Sequence, residues 1–410
     1  MKILVLNAGS SSQKSCLYEI TTENLPENPP KPIWEAAIDW TANDDYGVLE
    51  IEANGVEKEF QLNHEKRLEG ISKMLETLSQ GETKVLEKLS DINVVGHRVV
   101  HGGSDYSEAT LITDKVKTTI TNLIPLAPNH NPNHLEGIEA IEKILGDVPQ
   151  IAVFDTAFHS KMPKEAAVYP IPYEWFEKGI RRYGFHGTSH KYCSQKAAKI
   201  LGKPLESLRI ITCHLGNGAS LTAVRNGISI NTTMGFTPLE GLMMGTRSGS
   251  IDPAILIYLM REYDFDAQKL NKMLNKESGL KGISGKSGDM RYITNAMQEG
   301  YELAQLAFDI YIHKLRCSIG EMLASLGGLD VLVFTAGIGE HSAIIREKTC
   351  AGFEFLGLKI DKEKNTKPAM NTDISASDAK VPILVVHTEE DWAIACECWE
   401  KMSQASTINN

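Results

Sequence analysis

A strand, a turn of small residues and a second strand occur twice in this chain, and that recurrence limits the fold more than any other feature. Residues 2–20 run KILVL, NAGSSS and KSCLYEI; residues 209–227 run RIITC, HLGNG and ASLTAVRNG. Aligned, Asn7 falls opposite His214 and Gly9 opposite Gly216. The pattern reads as an internal duplication, two halves on one plan. The competing reading is two unrelated β-hairpins.

Composition narrows the class. With 410 residues, 42% hydrophobic and 23% charged, the chain can bury sizeable cores in roughly two to three domains. A formal net charge of -11 disfavours nucleic acid as a partner, so any anionic ligand must be held by a local basic cluster. No apolar run reaches the ~18 residues of a membrane helix, and no membrane partner is expected. MKILVLNAGSSS has too short an apolar run for a signal peptide. Seven cysteines with no CxxC pair suggest reduced thiols in the cytoplasm, and Cys396 and Cys398 read as small residues on a helix.

The remaining elements fit a mixed α/β chain. Residues 21–32, with four prolines, read as a loop, and Asn54-Gly55 as a hairpin turn. Helical spacing is present over 64–79, 133–145 (stopped by Gly146) and 301–326. INVVGHRVVHGG, QIAVFDTAFH and DVLVFTAGIGE are buried strands that run straight into loops, the place where open α/β sheets bind ligands. Asp252-Pro253 should start a helix, and Thr388 should cap the last one.

Four turns suit phosphate: NAGSSSQK (7–14), HLGNG (214–218), MGTRSGS (244–250) and AGIGEHS (336–342). Glycine lets backbone N–H groups approach an anion and Ser or Thr hydroxyls add donors, although none of the four matches a GxxxxGK[ST] or GxGxxG fingerprint. Basic groups cluster beside them: Arg98 and His101, then Arg181, Arg182, His186 and His190, then Arg247. Arginine among glycines is a poor structural choice and a good anion clamp; the bland alternative is a surface salt bridge. Asp155 is carried to a sheet edge by IAVF, or is a turn carboxylate. Glu390 either favours a helix dipole or serves Mg²⁺, which with a nucleotide needs only one or two carboxylates. His130/His134 and His186/His190 have His-x-x-x-His spacing, but Pro132 and Gly187 keep both pairs off a clean helix, so zinc ligation is disfavoured.

Taken together, NAGSSSQK, GHRVVHGG, PLAPNHNP, FDTAFH, RRYGFHGTSH, HLGNG, MGTRSGS and GIGEH resemble the acetokinase family, in its order and spacing, over residues 1 to about 395. The resemblance implies two ribonuclease-H-like domains of the actin, sugar kinase and heat-shock ATPase superfamily. It assigns residues 1–155 with a returning helix at about 392–410 to the first, and 156–391 to a second, nucleotide-binding and dimerising one. It implies Mg²⁺-dependent, reversible transfer of the ATP γ-phosphoryl to acetate, giving acetyl phosphate and ADP. Mn²⁺ can substitute, and the protein would be a homodimer. Alternatives are propionate or butyrate as acceptor, or a nucleotide-gated ATPase interaction protein.

By the same resemblance Asp155, His186 and Arg247 are catalytic, while Arg98, Val100, Asn129, Phe185 and Pro238 hold the acyl substrate. Lys14, His214, Leu215, Gly216, Asn217, Gly218, Asp289, Met290, Arg291, Gly337, Ile338, Gly339, Glu340 and His341 contact the nucleotide, and Asn7 and Glu390 the metal. Three positions depart from the family pattern: Asn129, where Leu lines the acyl pocket, Ser250, where Asp is common beside Arg247, and His341, where Asn is usual. The acceptor of such a reaction is already ionised near pH 7, so the task is to cancel anion–anion repulsion rather than to remove a proton. Asp155 then acts as an acid, or orients Arg98 or a metal-bound water.

Overall fold

The computed structural model describes residues 1–9, 12–41, 45–63, 66–128 and 130–408, the last three by backbone alone. The chain divides into two compact units, Met1–Ala157 with Glu389–Asn410, and Phe158–Thr388.

The first unit is built on an eight-stranded sheet. Its strands are β1 (Lys2–Ala8), β2 (Ser12–Glu19), β3 (Trp34–Asp39), β4 (Gly47–Ala53), β5 (Val56–Leu62), β6 (Val94–Val99), β7 (Thr110–Leu111) and β8 (Gln150–Phe154). The spatial order is β5-β4-β3-β2-β1-β6-β8-β7, with β1, β6 and β8 parallel and the rest antiparallel to their neighbours. Asn54 and Gly55, both at positive φ, make the β4–β5 hairpin turn the sequence signals. Leu4, Leu17, Trp34, Ile38 and Leu49 form one core with Ile71, Met74, Leu75 and Leu78 of the helix Arg67–Ser79. Each such side chain is worth roughly 1.5–3 kcal/mol once buried. The last helix, Glu390–Ile408, lies on β1 and β6. Glycine at position 96 permits this: a Cβ there would sit 2.6 Å from Cys398 Sγ and 2.7 Å from Ile394 Cγ2.

The second unit repeats the plan with six strands. These are β9 (Arg209–Leu215), β10 (Ala219–Arg225), β11 (Ile228–Thr232), β12 (Val331–Thr335), β13 (Thr372–Asp373) and β14 (Ile383–Val385), in the order β11-β10-β9-β12-β14-β13. Here β9, β12 and β14 are parallel. The antiparallel pair β9–β10 matches β1–β2, and each sheet closes its far side with a short antiparallel strand. The duplication is therefore one of topology, with little identity left in the sequence. Helix Gly187–Leu201 packs Cys193 and Ala197 on β9 and β12, and helix Glu302–Leu326 packs against β10.

Two local expectations need correction. Thr388 is not the cap of the last helix: its hydroxyl donates to Ser189 Oγ at 3.0 Å, and the Glu389 carbonyl accepts the Ala393 N–H. DVLVF does not run into an open loop, because Ala336–His341 turns directly into a short helix. Each His-x-x-x-His pair straddles a helix start, so neither lies wholly on a helix, as expected: His130 and His186 are the N-cap residues. Pro132 lies in the first turn of Asn131–Leu145, where its missing N–H costs no bond, and Gly187 is simply the first helical residue after His186.

Candidate active site

In the first unit β1, β6 and β8 bring Asn7, Arg98 and Asp155 to one edge. Arg98 forks onto Asp155, with Nε 3.0 Å from Oδ1 and Nη2 2.8 Å from Oδ2. Its Nη1 donates to Asn7 Oδ1 at 3.2 Å and lies 3.9 Å from Glu390 Oε2. Asp155 is 2% exposed, and its N–H is fixed by the Val99 carbonyl. Burial works against the Arg98 charge, but Asp155 and Glu390 outweigh it and shift the guanidinium pKa upward. Among the described residues, three of Arg98's five N–H groups have a hydrogen-bond partner.

Asp391 belongs to the same cluster and was missed in the sequence. It accepts from Asn7 Nδ2 at 2.8 Å, and burial raises its pKa. The signal available was the acidic run Glu389-Glu390-Asp391, which a helix N-terminus explains equally well. Lys14, paired with Asn7 in the β1–β2 register, is exposed. Val100 is buried; Asn129 lies outside the described residues. His134 is buried beside His130, and burial first, then His130 and Arg98, depress its pKa.

In the second unit β9 carries His214 and Leu215 into the turn of Gly216, Asn217 and Gly218. Three loops approach closer there than side chains allow. A Cβ on Gly245 would lie 2.2 Å from Asn217 Oδ1, and one on Gly288 2.7 Å from the Gly245 carbonyl oxygen. A Cβ on Gly218 would lie 3.5 Å from His186 Nε2 and 3.7 Å from Arg247 Nη1, so both cationic candidates meet above that glycine.

His186 sits at φ 56° just before its helix, its ring stacked on His214 with centroids 4.1 Å apart. Its Nδ1 is 2.9 Å from Ser220 Oγ. Arg247 is half-buried, bonds the Pro238 carbonyl at 3.0 Å, and has no ion pair among the described residues; burial alone lowers its pKa. Ser250 supplies no carboxylate to it, since its hydroxyl accepts the Gly241 N–H. Phe185 is buried, its carbonyl 3.0 Å from His159 Nε2.

The other nucleotide candidates are placed less uniformly. Asp289 caps Met290–Gln298 and pairs with the exposed Arg291, which holds its pKa below the usual range; Met290 is buried. Gly337, Ile338 and Gly339 lie in the short helix, and His341 is exposed. Glu340 turns inward, accepting from the Ala336 N–H at 2.8 Å and the Thr388 N–H at 3.1 Å and pairing with His387 Nδ1 at 2.6 Å. Burial opposes its ionisation, but those partners outweigh burial and lower its pKa. Arg346, fully buried, takes the Gly339 and Glu340 carbonyls, a role its sequence context did not signal.

Comparison with known proteins agrees with this architecture. Residues 2–396 match the family model described as the Acetokinase family. Acetate kinase of Rippkaea orientalis is 68% identical over 97% of this chain and 98% of its own. The crystal structure of Porphyromonas gingivalis acetate kinase aligns at TM-score 0.87 with 39% identity, covering 97% of this chain and 98% of that one. A propionate kinase from Francisella tularensis aligns at the same TM-score of 0.87, with 39% identity and the same coverage, 97% and 98%. Near full-length agreement in sequence and in structure places this chain in the acetokinase family.

Proposed function

We propose that the chain transfers the γ-phosphoryl of ATP directly and in line to acetate, reversibly, giving acetyl phosphate and ADP. The observation that carries the reading is Arg247: a half-buried guanidinium with no ion pair among the described residues, beside His186 above Gly218. Such a group is set to stabilise an anion that arrives with the substrate, and here that anion is the moving phosphoryl. Arg98 takes the acetate carboxylate with its two remaining N–H groups, while Asp155 fixes the plane of the fork. Asp155 is then a positioning residue, since an ionised nucleophile has no proton to give up.

Asn7, Glu390 and Asp391 offer only oxygen donors, which suits Mg²⁺, although no cluster of three or more His, Cys, Asp or Glu among the described residues encloses a metal. Asn7 and Glu390 would hold the ion through water, and it would neutralise nucleotide phosphate charge when bound. The Gly216–Gly218 turn, Asp289–Arg291 and Gly337–His341 segments receive the nucleotide. Val100, Phe185, Pro238 and Asn129 bound the acyl group.

Acetate is preferred over propionate on the names and identities of the relatives, the propionate kinase above being more distant than the first curated acetate kinase. A cytoplasmic homodimer is part of the proposal. Helix Ala254–Glu262 buries none of its residues within the chain, and Ile257, Tyr258 and Met260 are at least half exposed, a face a second copy would cover. Among the described residues no helix is long and apolar enough to cross a membrane.

Trapping acyl phosphate with hydroxylamine across C2, C3 and C4 acids tests the reading. Acetyl hydroxamate at the highest kcat/KM is expected. ATP hydrolysis without any hydroxamate would overturn it in favour of a nucleotide-gated ATPase.

A further inference from the structure

We propose that Tyr169, Arg182 and Glu240 form a latch that sets the direction of the Arg247 guanidinium through the Pro238 carbonyl. The three thereby become positioning residues for the transfer. The inference rests on the reading of Arg247 as the group that faces the phosphoryl.

Arg247 is held by little. Its Nη1 donates to the Pro238 carbonyl at 3.0 Å and lies 3.9 Å from Met244 Sδ, with no ion pair among the described residues. A guanidinium with one oxygen partner takes its direction from that oxygen, so the peptide carrying the oxygen must itself be fixed. Pro238 belongs to the loop between the end of β11 at Thr232 and Gly241.

The latch grips that loop on both sides of Pro238. The Tyr169 hydroxyl accepts the Phe236 N–H at 2.8 Å and donates to Glu240 Oε2, joining the residues two before and two after Pro238. Arg182 Nη2 donates to Glu240 Oε1 at 2.7 Å, while its Nη1 meets the carbonyls of Thr232, Thr233 and Met234 at 3.1, 3.1 and 3.2 Å. The donor in each bond is fixed by its chemistry: an amide N–H and a guanidinium only donate, and the phenol's single proton goes to the carboxylate. Burial raises the phenol pKa, which keeps that proton in place. Glycine leaves the room, since a Cβ on Gly235 would overlap both Glu240 Oε2 and the Tyr169 hydroxyl.

The far end of the loop is tied to Arg247's own turn. Gly241, next to Glu240, donates its N–H to Ser250 Oγ at 3.0 Å and accepts the Ser250 N–H at 2.9 Å, closing the segment 241–250 that carries Arg247. The latch also settles charge. Glu240 lies two residues from the carbonyl that Arg247 uses, and both of its oxygens are taken up by Arg182 and Tyr169. The carboxylate so held does not neutralise Arg247.

The test uses the full chain and steady-state kinetics with Tyr169→Phe, Glu240→Ala, Glu240→Gln and Arg247→Ala. Tyr169→Phe removes one hydroxyl and both of its bonds to the loop. It should lower kcat about 10- to 100-fold with the KM for ATP little changed, up to the cost of a ~1 Å misplacement of a group that acts in the transition state. Glu240→Ala should do the same, and carries the test alone if the phenylalanine variant does not fold. Glu240→Gln, which keeps an oxygen for the phenol, should recover part of the loss. The deciding measurement repeats the latch substitutions in the Arg247→Ala background. There each should lower kcat by less than about twofold, because the group through which it acts is gone. An equal fold-loss in both backgrounds, or wild-type kcat in Tyr169→Phe and Glu240→Ala, overturns the latch and leaves the reading of Arg247 standing. Near wild-type turnover in Arg247→Ala alone overturns that reading and the latch with it.

Discussion

The two sheets place different chemistry at equivalent positions. Leu6 pairs with His97 across β1–β6, and Cys213 with Phe334 across β9–β12, so Asn7 corresponds to His214 and Arg98 to Thr335. In the first unit this edge is one guanidinium among carboxylates: Arg98 against Asp155, with Glu390 near and Asp391 tied to Asn7. In the second unit it is imidazoles, hydroxyls and a guanidinium with no ion pair among the described residues, while the Glu340 carboxylate beside Thr335 is turned onto Ala336, His387 and Thr388. On the reading proposed above, one scaffold yields an arginine held by carboxylates as the seat for a small carboxylate, and a cationic cradle that a phosphate would complete.

The sharpest way to break this contrast is at the unbalanced charge. Arg247→Ala should lower kcat about 10²–10³-fold, the effect of losing one preorganised transition-state donor. Arg247→Lys should recover little of it, because a point charge lacks the planar fork. Turnover close to wild type in steady-state assays would mean the missing counter-charge has no catalytic meaning. The carboxylate-rich edge should respond differently. Asp155→Asn places an amide against the Arg98 fork, and we expect the KM for acetate to rise about 10- to 100-fold with a smaller loss in kcat, as for a displaced orienting partner. Loss confined to kcat would return Asp155 to a proton-transferring role.

Glycines separate stability from function between the same two regions. Gly96→Ala in the first unit forces a methyl against Cys398 and Ile394, both 0% exposed, and overpacking of that kind costs about 1–3 kcal/mol. Thermal unfolding should register it with kcat/KM unchanged. Gly288→Ala in the second unit meets the backbone of Gly245, which cannot rotate away, so nucleotide KM or kcat should suffer at comparable stability loss. Equal kinetic effects in both variants would show that the close loops of the second unit are packing alone.

Much of this was legible in the sequence, and unevenly so. The repeated strand–turn–strand announced two halves because a buried parallel strand is a compact local signal, and Asp252 does cap its helix, accepting the Ala254 N–H at 2.9 Å. Arg98, Asp155, His186 and Arg247 stood out as polar groups in settings that do not need them. Asp391, Ser220 and Thr212 did not. A serine or threonine in a buried strand reads as ordinary core, and only the packing that brings His186 and His190 onto β9 and β10 gives it a partner. Glu340 shows the converse: a carboxylate beside glycines suggests a ligand in the sequence, and its contacts with Ala336, His387 and Thr388 are visible only in the fold.

The smallest effect, and the finest comparison, is in acid. Glu340 has a lowered pKa in the fold, so its stabilisation is present above the unfolded carboxyl value and lost as pH falls through the folded one. Asp391 has a raised pKa, so the fold favours its neutral form, and its contribution fades as pH rises through the folded value. The two replacements should therefore act with opposite sign. At neutral pH Glu340→Gln should lower the Tm and Asp391→Asn raise it, each by about 2–4 °C, the shift for 1 kcal/mol in a unit of this size. Both differences should shrink as calorimetry is repeated toward pH 4, because each native carboxylate then approaches the neutral state its amide imitates. Shifts of the same sign, or differences that widen in acid, would mean that the two edges do not differ in how they hold charge.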